Sequence, residues 1–206
     1  TEGDRAHALR AKAEVVRTLP VGYEARSSML RAYLAGPEYG AAVSRQSKAV
    51  CGRVRAAVRR GLLPATKSWQ SLPAHLALFV QGSLELGVLA AIRGARSLRH
   101  AREAGERAWG SRSPWVGPVG ALRQALKGLK VRWVAWEVWT DPWGREFRWL
   151  DERDSSVGHH LRLWGRWSLQ VEAQTRLGLR GLAPGSPGGA FFAGCAWDRD
   201  AVRRVL

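Results

Sequence analysis

Residues 131–150 read VRWVAWEVWTDPWGREFRWL. Val and Trp dominate the first ten positions, a composition that suits a pleated strand better than a helix. In Thr140-Asp141-Pro142-Trp143-Gly144, the Asp, Pro and Gly fall at the first, second and fourth positions of a type I turn. Arg145 to Leu150 then returns as a second strand, so 131–150 predicts a Trp-rich β-hairpin. Strict alternation puts Val131, Trp133 and Trp139 on one face and Val134, Trp136 and Val138 on the other. Both faces are apolar, so a helix is expected over at least one. A platform for nucleic-acid bases exposes rings on one face and polar groups on the other. The hairpin rings therefore read as core, with Trp143 and Trp149 kept as candidate stacking residues.

Upstream of the hairpin the periodicity is helical. One helix is expected from Asp4 to Leu19, stopped by Pro20, and a second over 24–34 with Met29, Leu30, Tyr33 and Leu34 on one side. A third is expected over 38–60. There Tyr39, Val43, Val50, Val54 and Val58 share one face while Arg45, Lys48, Arg55 and Arg59 share another, and Gly61 closes it. A Pro-bounded connector (62–73) leads to a helix from Ala74 to Ile92, continued to Trp109 as a basic, Ala-rich helix. Its apolar stretch 76–92 carries Gln81, Ser83 and Glu85, too many polar groups for a bilayer span, so no membrane is expected. GSRSPWVGP at 110–118 is the clearest break.

The fold class expected is mainly α. A basic helical bundle (1–110) and a linker (111–118) precede a small α+β sub-domain (119–206), which holds the hairpin 131–150 and C-terminal helices. Those helices are 119–129, a Trp-containing helix capped by Asp154 or Ser155 and running to about Leu177, and a final helix after the loop GLAPGSPGG at 181–189.

Charge narrows the function. Thirty-three Lys and Arg face 17 acids, a formal charge of +16. Such an excess suits a polyphosphate partner, whose counterions are released on binding. Most of it is Arg, whose planar fork matches phosphates and base edges. The stripe on the third helix, with its neighbours, supplies the candidate nucleic-acid-binding residues: Arg45, Lys48, Arg53, Arg55, Arg59, Arg60 and Lys67. The bland reading of the same stripe is a solvated face.

Catalytic chemistry is not signalled. Cys51 and Cys195 lie far apart with no Cys-x-x-Cys, and Cys51 reads as a small buried residue. Asp151, Glu152 and Asp154 suit a helix N-terminus better than a metal site. His159 and His160, adjacent on a helix, point about 100° apart and do not readily face one ion. GLAPGSPGG lacks the Lys-Ser/Thr end of a phosphate loop. No catalytic residue, metal ligand or cofactor is assigned.

The segment RTLPVGYEARSSMLRAYLAGPEYGAAV (17–43) resembles the region just after the palm in reverse transcriptases of non-LTR, LINE-type retrotransposons. The likeness rests on Leu19-Pro20, Arg26, Leu30, Leu34, Pro37, Tyr39 and Gly40. It continues through Gly117-Pro118, the turn at 140–144, Trp164, Trp167 and AGCAWDRD at 193–200. The resemblance implies a thumb and connection region within a larger polyprotein, its Arg-rich helix lying along a template–primer duplex. RNA or an RNA–DNA hybrid is the implied partner, in the nucleus or cytoplasm. No Asp-Asp pair of a polymerase metal site occurs, and the Cys/His zinc cluster expected after such a region is not in the sequence. The implied role is gripping without copying. Two alternatives stand beside it. One is a free-standing basic protein of a ribonucleoprotein particle, including an organellar one. The other is a protein-interaction module presenting Trp rings.

Overall fold

The computed structural model describes residues 2–45, 47–62, 84–111 and 115–176. Lys67, the connector beyond Leu62, the first part of the expected helix at 74–92, the loop 181–189 and the final helix lie outside them. The fold is mainly α with a small antiparallel sheet. Its helices are α1 (Glu2–Thr18), α2 (Tyr23–Tyr33), α3 (Ala35–Val43), α4 (Lys48–Leu62), α5 (Leu86–His100), α6 (Arg102–Trp109), α7 (Gly117–Gly128) and α8 (Asp154–Arg176). Between α7 and α8 come β1 (Arg132–Ala135), β2 (Val138–Thr140) and β3 (Glu146–Arg148), paired in the order β1-β2-β3.

The expected third helix is two helices. Ser44 takes an extended conformation and turns its hydroxyl back onto the Gly40 carbonyl, ending α3. Ser47 then starts α4, its Oγ accepting from the Val50 N–H at 3.2 Å, as an N-cap serine does. Two serines thus override a continuous apolar period. In consequence Tyr39 and Val43 leave the Val50–Val54–Val58 face and are exposed, and Arg45 sits in the link rather than on the helix.

Two further helices are shorter than their periodicity suggests. Glu85 is extended, so α5 begins at Leu86 instead of continuing from upstream. Ala101 leaves helical geometry and separates α5 from α6.

Two hydrophobic clusters share α5. Ala6, Leu9, Ala13 and Val16 of α1 pack with Leu30 of α2 and with Val54, Ala57, Val58 and Leu62 of α4, and are closed by Leu86, Leu89 and Ala90. The opposite side of α5, with Val88, Ala91, Ala95 and Leu98, meets Val119, Leu122 and Leu126 of α7, the sheet, and Leu161 and Trp164 of α8. A helix apolar on two sides is what a shared wall between cores requires.

The hairpin is a three-stranded meander. The first Val/Trp run folds back on itself at Trp136-Glu137, so Trp133 pairs with Trp139 across β1 and β2, with a register shift between Trp133 and Ala135. Trp139 then pairs with Phe147 across β2 and β3. The extra reversal buries Trp136 and leaves Val134 exposed, although simple alternation put both on one face. The predicted Asp-Pro-Trp-Gly turn is present. The Gly144 N–H donates to the Asp141 carbonyl at 3.0 Å, and Gly144 sits at φ 88°, a conformation glycine adopts without a Cβ penalty. Asp141 also accepts from the N–H groups of Trp143 and Arg145, both at 2.9 Å.

Trp139 and Trp149 are fully buried and stacked, centroids 4.9 Å apart and planes within 8°. Replacing Trp139 by Ala is expected to cost about 3–5 kcal/mol in chemical denaturation, the range for emptying a buried Trp site. At Gly165 of α8, an added methyl would overlap Cγ2 of Val88 on α5. Because Val is stiff at χ1, Gly165→Ala is expected to push the helices apart and to cost about 1–3 kcal/mol in the same assay.

Candidate nucleic-acid interface

Helix α4, KAVCGRVRAAVRRGL, holds five cations and no acid. Val50, Val54, Ala57, Val58 and Leu62 face the core, which sends the rest outward. At about 100° per residue, Ala49, Gly52 and Ala56 run down the middle of the outer face. Lys48 and Arg59 line one side of it, Arg53 and Arg60 the other, and all of these residues are exposed. From Lys48 to Arg59 the face rises about 16 Å, close to five base pairs of B-form duplex. Small side chains between two rows of cations let a phosphate backbone come near the helix. Arg45 adds a cation just ahead of the first turn and is also exposed.

The ion pairs divide the sequence-selected residues into two groups. Among the described residues no carboxylate pairs with Arg45, Lys48, Arg53 or Arg59. Arg60 is bound to Glu14 of α1 at 2.7 Å, with both side chains partly open to solvent. Arg55, expected on the binding stripe, is a structural tie. Its Nε and Nη2 donate to the Glu85 carboxylate at 2.9–3.2 Å, and its Nη1 reaches Glu172 of α8 at 3.3 Å. Burial alone would push the Arg55 guanidinium down, but Glu85, with Glu172 behind it, outweighs that and raises it above its ordinary value. Arg55 therefore joins α4, the start of α5 and α8, and its donors are not available to a phosphate. The helical wheel places it beside Lys48 and Arg59; only the distant carboxylates remove it from the stripe.

The two candidate stacking rings also separate. Trp149 is fully buried, its indole N–H donating to the Trp136 carbonyl at 2.7 Å, so it offers no surface to a base. Trp143 is exposed at the turn, flanked by the Arg145 guanidinium 5.3 Å from its centroid and by Trp167 at 5.8 Å.

The acids near 151–154 act within the fold. Asp154 is the first residue of α8 rather than the cap before it, and its carboxylate binds Arg99 at 2.9 Å and Arg96 at 3.6 Å. Glu152 accepts from the Ser156 hydroxyl at 2.7 Å. His160 packs against Phe147 and Trp164, with centroids 4.6 and 5.6 Å away, while His159 is exposed. Cys51 is half-buried beside the first core cluster. Among the described residues no group of three or more His, Cys, Asp or Glu is placed to hold a metal ion. Nor is any helix among them long and apolar enough to cross a membrane.

Arg123 of α7 was not singled out by its spacing. Its guanidinium carbon lies 5.0, 5.3 and 5.8 Å from the ring centroids of Trp109, Trp115 and Trp133. These rings come from α6, the segment before α7, and β1, so no local pattern announces the cluster.

No protein-family model, curated protein or solved structure matches this chain.

Glu85→Gln is expected to cost about 1–3 kcal/mol by denaturation, because the half-buried Arg55 loses the charge that balances it. His160 is expected to make the fold acid-sensitive. Burial and His159 push its pKa below 6.5, with Arg145 adding to them and Glu152 and Asp141 opposing. A depressed histidine value favours the neutral form in the folded state. This contribution is present above the unfolded value of about 6.5 and is lost as pH falls through the folded one. Denaturation of wild type and His160→Phe at about pH 7.5 and about pH 5 should show a smaller acid loss in the variant.

Proposed function

We propose that this chain is a non-catalytic nucleic-acid grip, the thumb and connection region of a retroelement RNA-directed DNA polymerase. It holds RNA or an RNA–DNA hybrid along the outer face of α4. The observation that carries this reading is the acid-free helix whose Lys48, Arg53 and Arg59, with Arg45 ahead of them, are exposed and lack a carboxylate among the described residues. Paired surface arginines stabilise a fold little; unpaired ones lined up at helical spacing carry field outward, where a phosphate backbone meets it. The +16 charge of the whole chain adds long-range attraction for the same partner. The sequence has no Asp-Asp pair to hold catalytic metals, so the proposed role is positioning of a duplex and not nucleotide transfer.

The test is a four-site variant, Arg45→Glu, Lys48→Glu, Arg53→Glu and Arg59→Glu, titrated against a labelled RNA–DNA hybrid at several salt concentrations. Arg55 is left intact because its loss would disturb packing. The variant is expected to fold normally and to lose hybrid binding. Arg59→Gln alone should weaken binding without regard to sequence and flatten the log–log salt slope by about one. Unchanged affinity and slope in the four-site variant would overturn the grip.

A further inference from the structure

The Arg123 cluster lies away from the α4 face and has the makings of a second site. Arg123 is half-buried and makes no hydrogen bond or ion pair among the described residues. Instead its guanidinium sits among three indoles, Trp109, Trp115 and Trp133. Cation–π contacts offer a guanidinium no hydrogen-bond acceptor, so its N–H groups stay without one. Burial with no carboxylate to balance it pushes the Arg123 pKa down, so the cation is held at a cost that an incoming acceptor would relieve.

The three rings differ in access. Trp109 and Trp133 pack against the second core cluster, and Trp133 is fixed by a 3.0 Å bond from its indole N–H to the Trp136 carbonyl. Trp115 is 49% exposed and Val116 beside it 70%. Yet Trp115 is not loosely held. Its backbone lies against Gly120 in the first turn of α7 so closely that a Cβ at residue 120 would overlap the Trp115 carbonyl. Glycine at 120 is the residue type whose missing Cβ lets the Trp115 backbone lie there. A half-exposed indole whose backbone is held against Gly120, next to a guanidinium with no acceptor among the described residues, on a chain of charge +16, matches the way bases and phosphates of single strands are held.

We infer that this cluster is a stacking site for an unpaired nucleobase of single-stranded nucleic acid. The base lies on the exposed ring of Trp115, and Arg123 donates its N–H groups to an acceptor on that base or on its phosphate. The inference shares the polyanionic partner of the proposed function but uses different residues and a different form of nucleic acid.

The experiment compares the full chain with Trp115→Ala, Trp115→Phe and the four-site α4 variant. The probes are a 12-nucleotide oligouridylate and a blunt RNA–DNA duplex without unpaired bases. Trp115→Ala is expected to bind the oligouridylate roughly 5- to 150-fold more weakly, the range for losing one base–aromatic stack. Its salt slope and duplex affinity should not change, because stacking releases no counterions. Trp115→Phe should recover most of the loss, which a merely structural role would not require. Unaltered oligouridylate affinity in Trp115→Ala would overturn the inference while leaving the α4 grip standing. So would an equal loss on the duplex, or a change in oligomeric state on size-exclusion chromatography that marks Trp115 as a protein-docking ring. Loss in Trp115→Ala with full binding by the α4 variant would support the stacking site and overturn the grip instead.

Discussion

The parallel, offset stack of Trp139 on Trp149 is the contact on which the second half of the molecule depends. The two rings, 4.9 Å apart, join the middle strand of the sheet to the chain that leaves β3 for α8. Trp164 of α8 meets Trp139 edge-on at 6.3 Å, and Trp136 and Trp133 meet Trp149 edge-on at 5.7 and 6.0 Å. Such offset and T-shaped pairs contribute beyond the area they bury. A sheet with strands of three and four residues has few ladder hydrogen bonds and is marginal by itself. The rings supply what the ladder lacks. Arg99 of α5 then binds the carbonyls of Trp149 and Glu152 and the carboxylate of Asp154, pinning the route into α8.

Scarce acids are placed where they join elements. Glu38, nearly buried on α3, faces Arg31 of α2 at 2.9 Å and Arg93 of α5 at 3.6 Å. Glu85 and Glu172 hold Arg55 between α4, α5 and α8. Asp154 ties α8 to α5, and Asp141 organises the turn between β2 and β3. With 17 acids against 33 cations in the sequence, a surplus of positive charge is unavoidable. Which cations stay unpaired is decided by where the carboxylates fall. Among the described residues that leaves Lys48, Arg53 and Arg59 together on α4 with no acid beside them, and on α7 it leaves Arg123 among indoles with no carboxylate partner.

The departures of the fold from its sequence pattern share one cause. Hydrophobic period alone joins 38–60 into one helix, but the hydroxyls of Ser44 and Ser47 compete for backbone groups and divide it. Alternation alone makes 131–140 one strand, but two short strands bring Trp133 opposite Trp139 and enclose Trp136. In each case a side-chain contact outweighs a weak local preference.

What the sequence determines unaided is local or additive. The Asp-Pro-Trp-Gly turn, the strand character of the Val/Trp run, the helices around it and the +16 charge can all be read from neighbouring residues or from a count. The roles of individual tryptophans and arginines cannot, because each depends on groups far along the chain. Trp149 is sealed by Trp139 and Trp136, while Trp115 is held half-open against Gly120. Arg55 and Arg59 lie on the same side of one helix, yet Arg55 is claimed by carboxylates 30 and 117 residues away while Arg59 is not. Burial and ion pairing are properties of what the chain brings together, so only the tertiary structure separates a cation that braces the fold from one that faces outward.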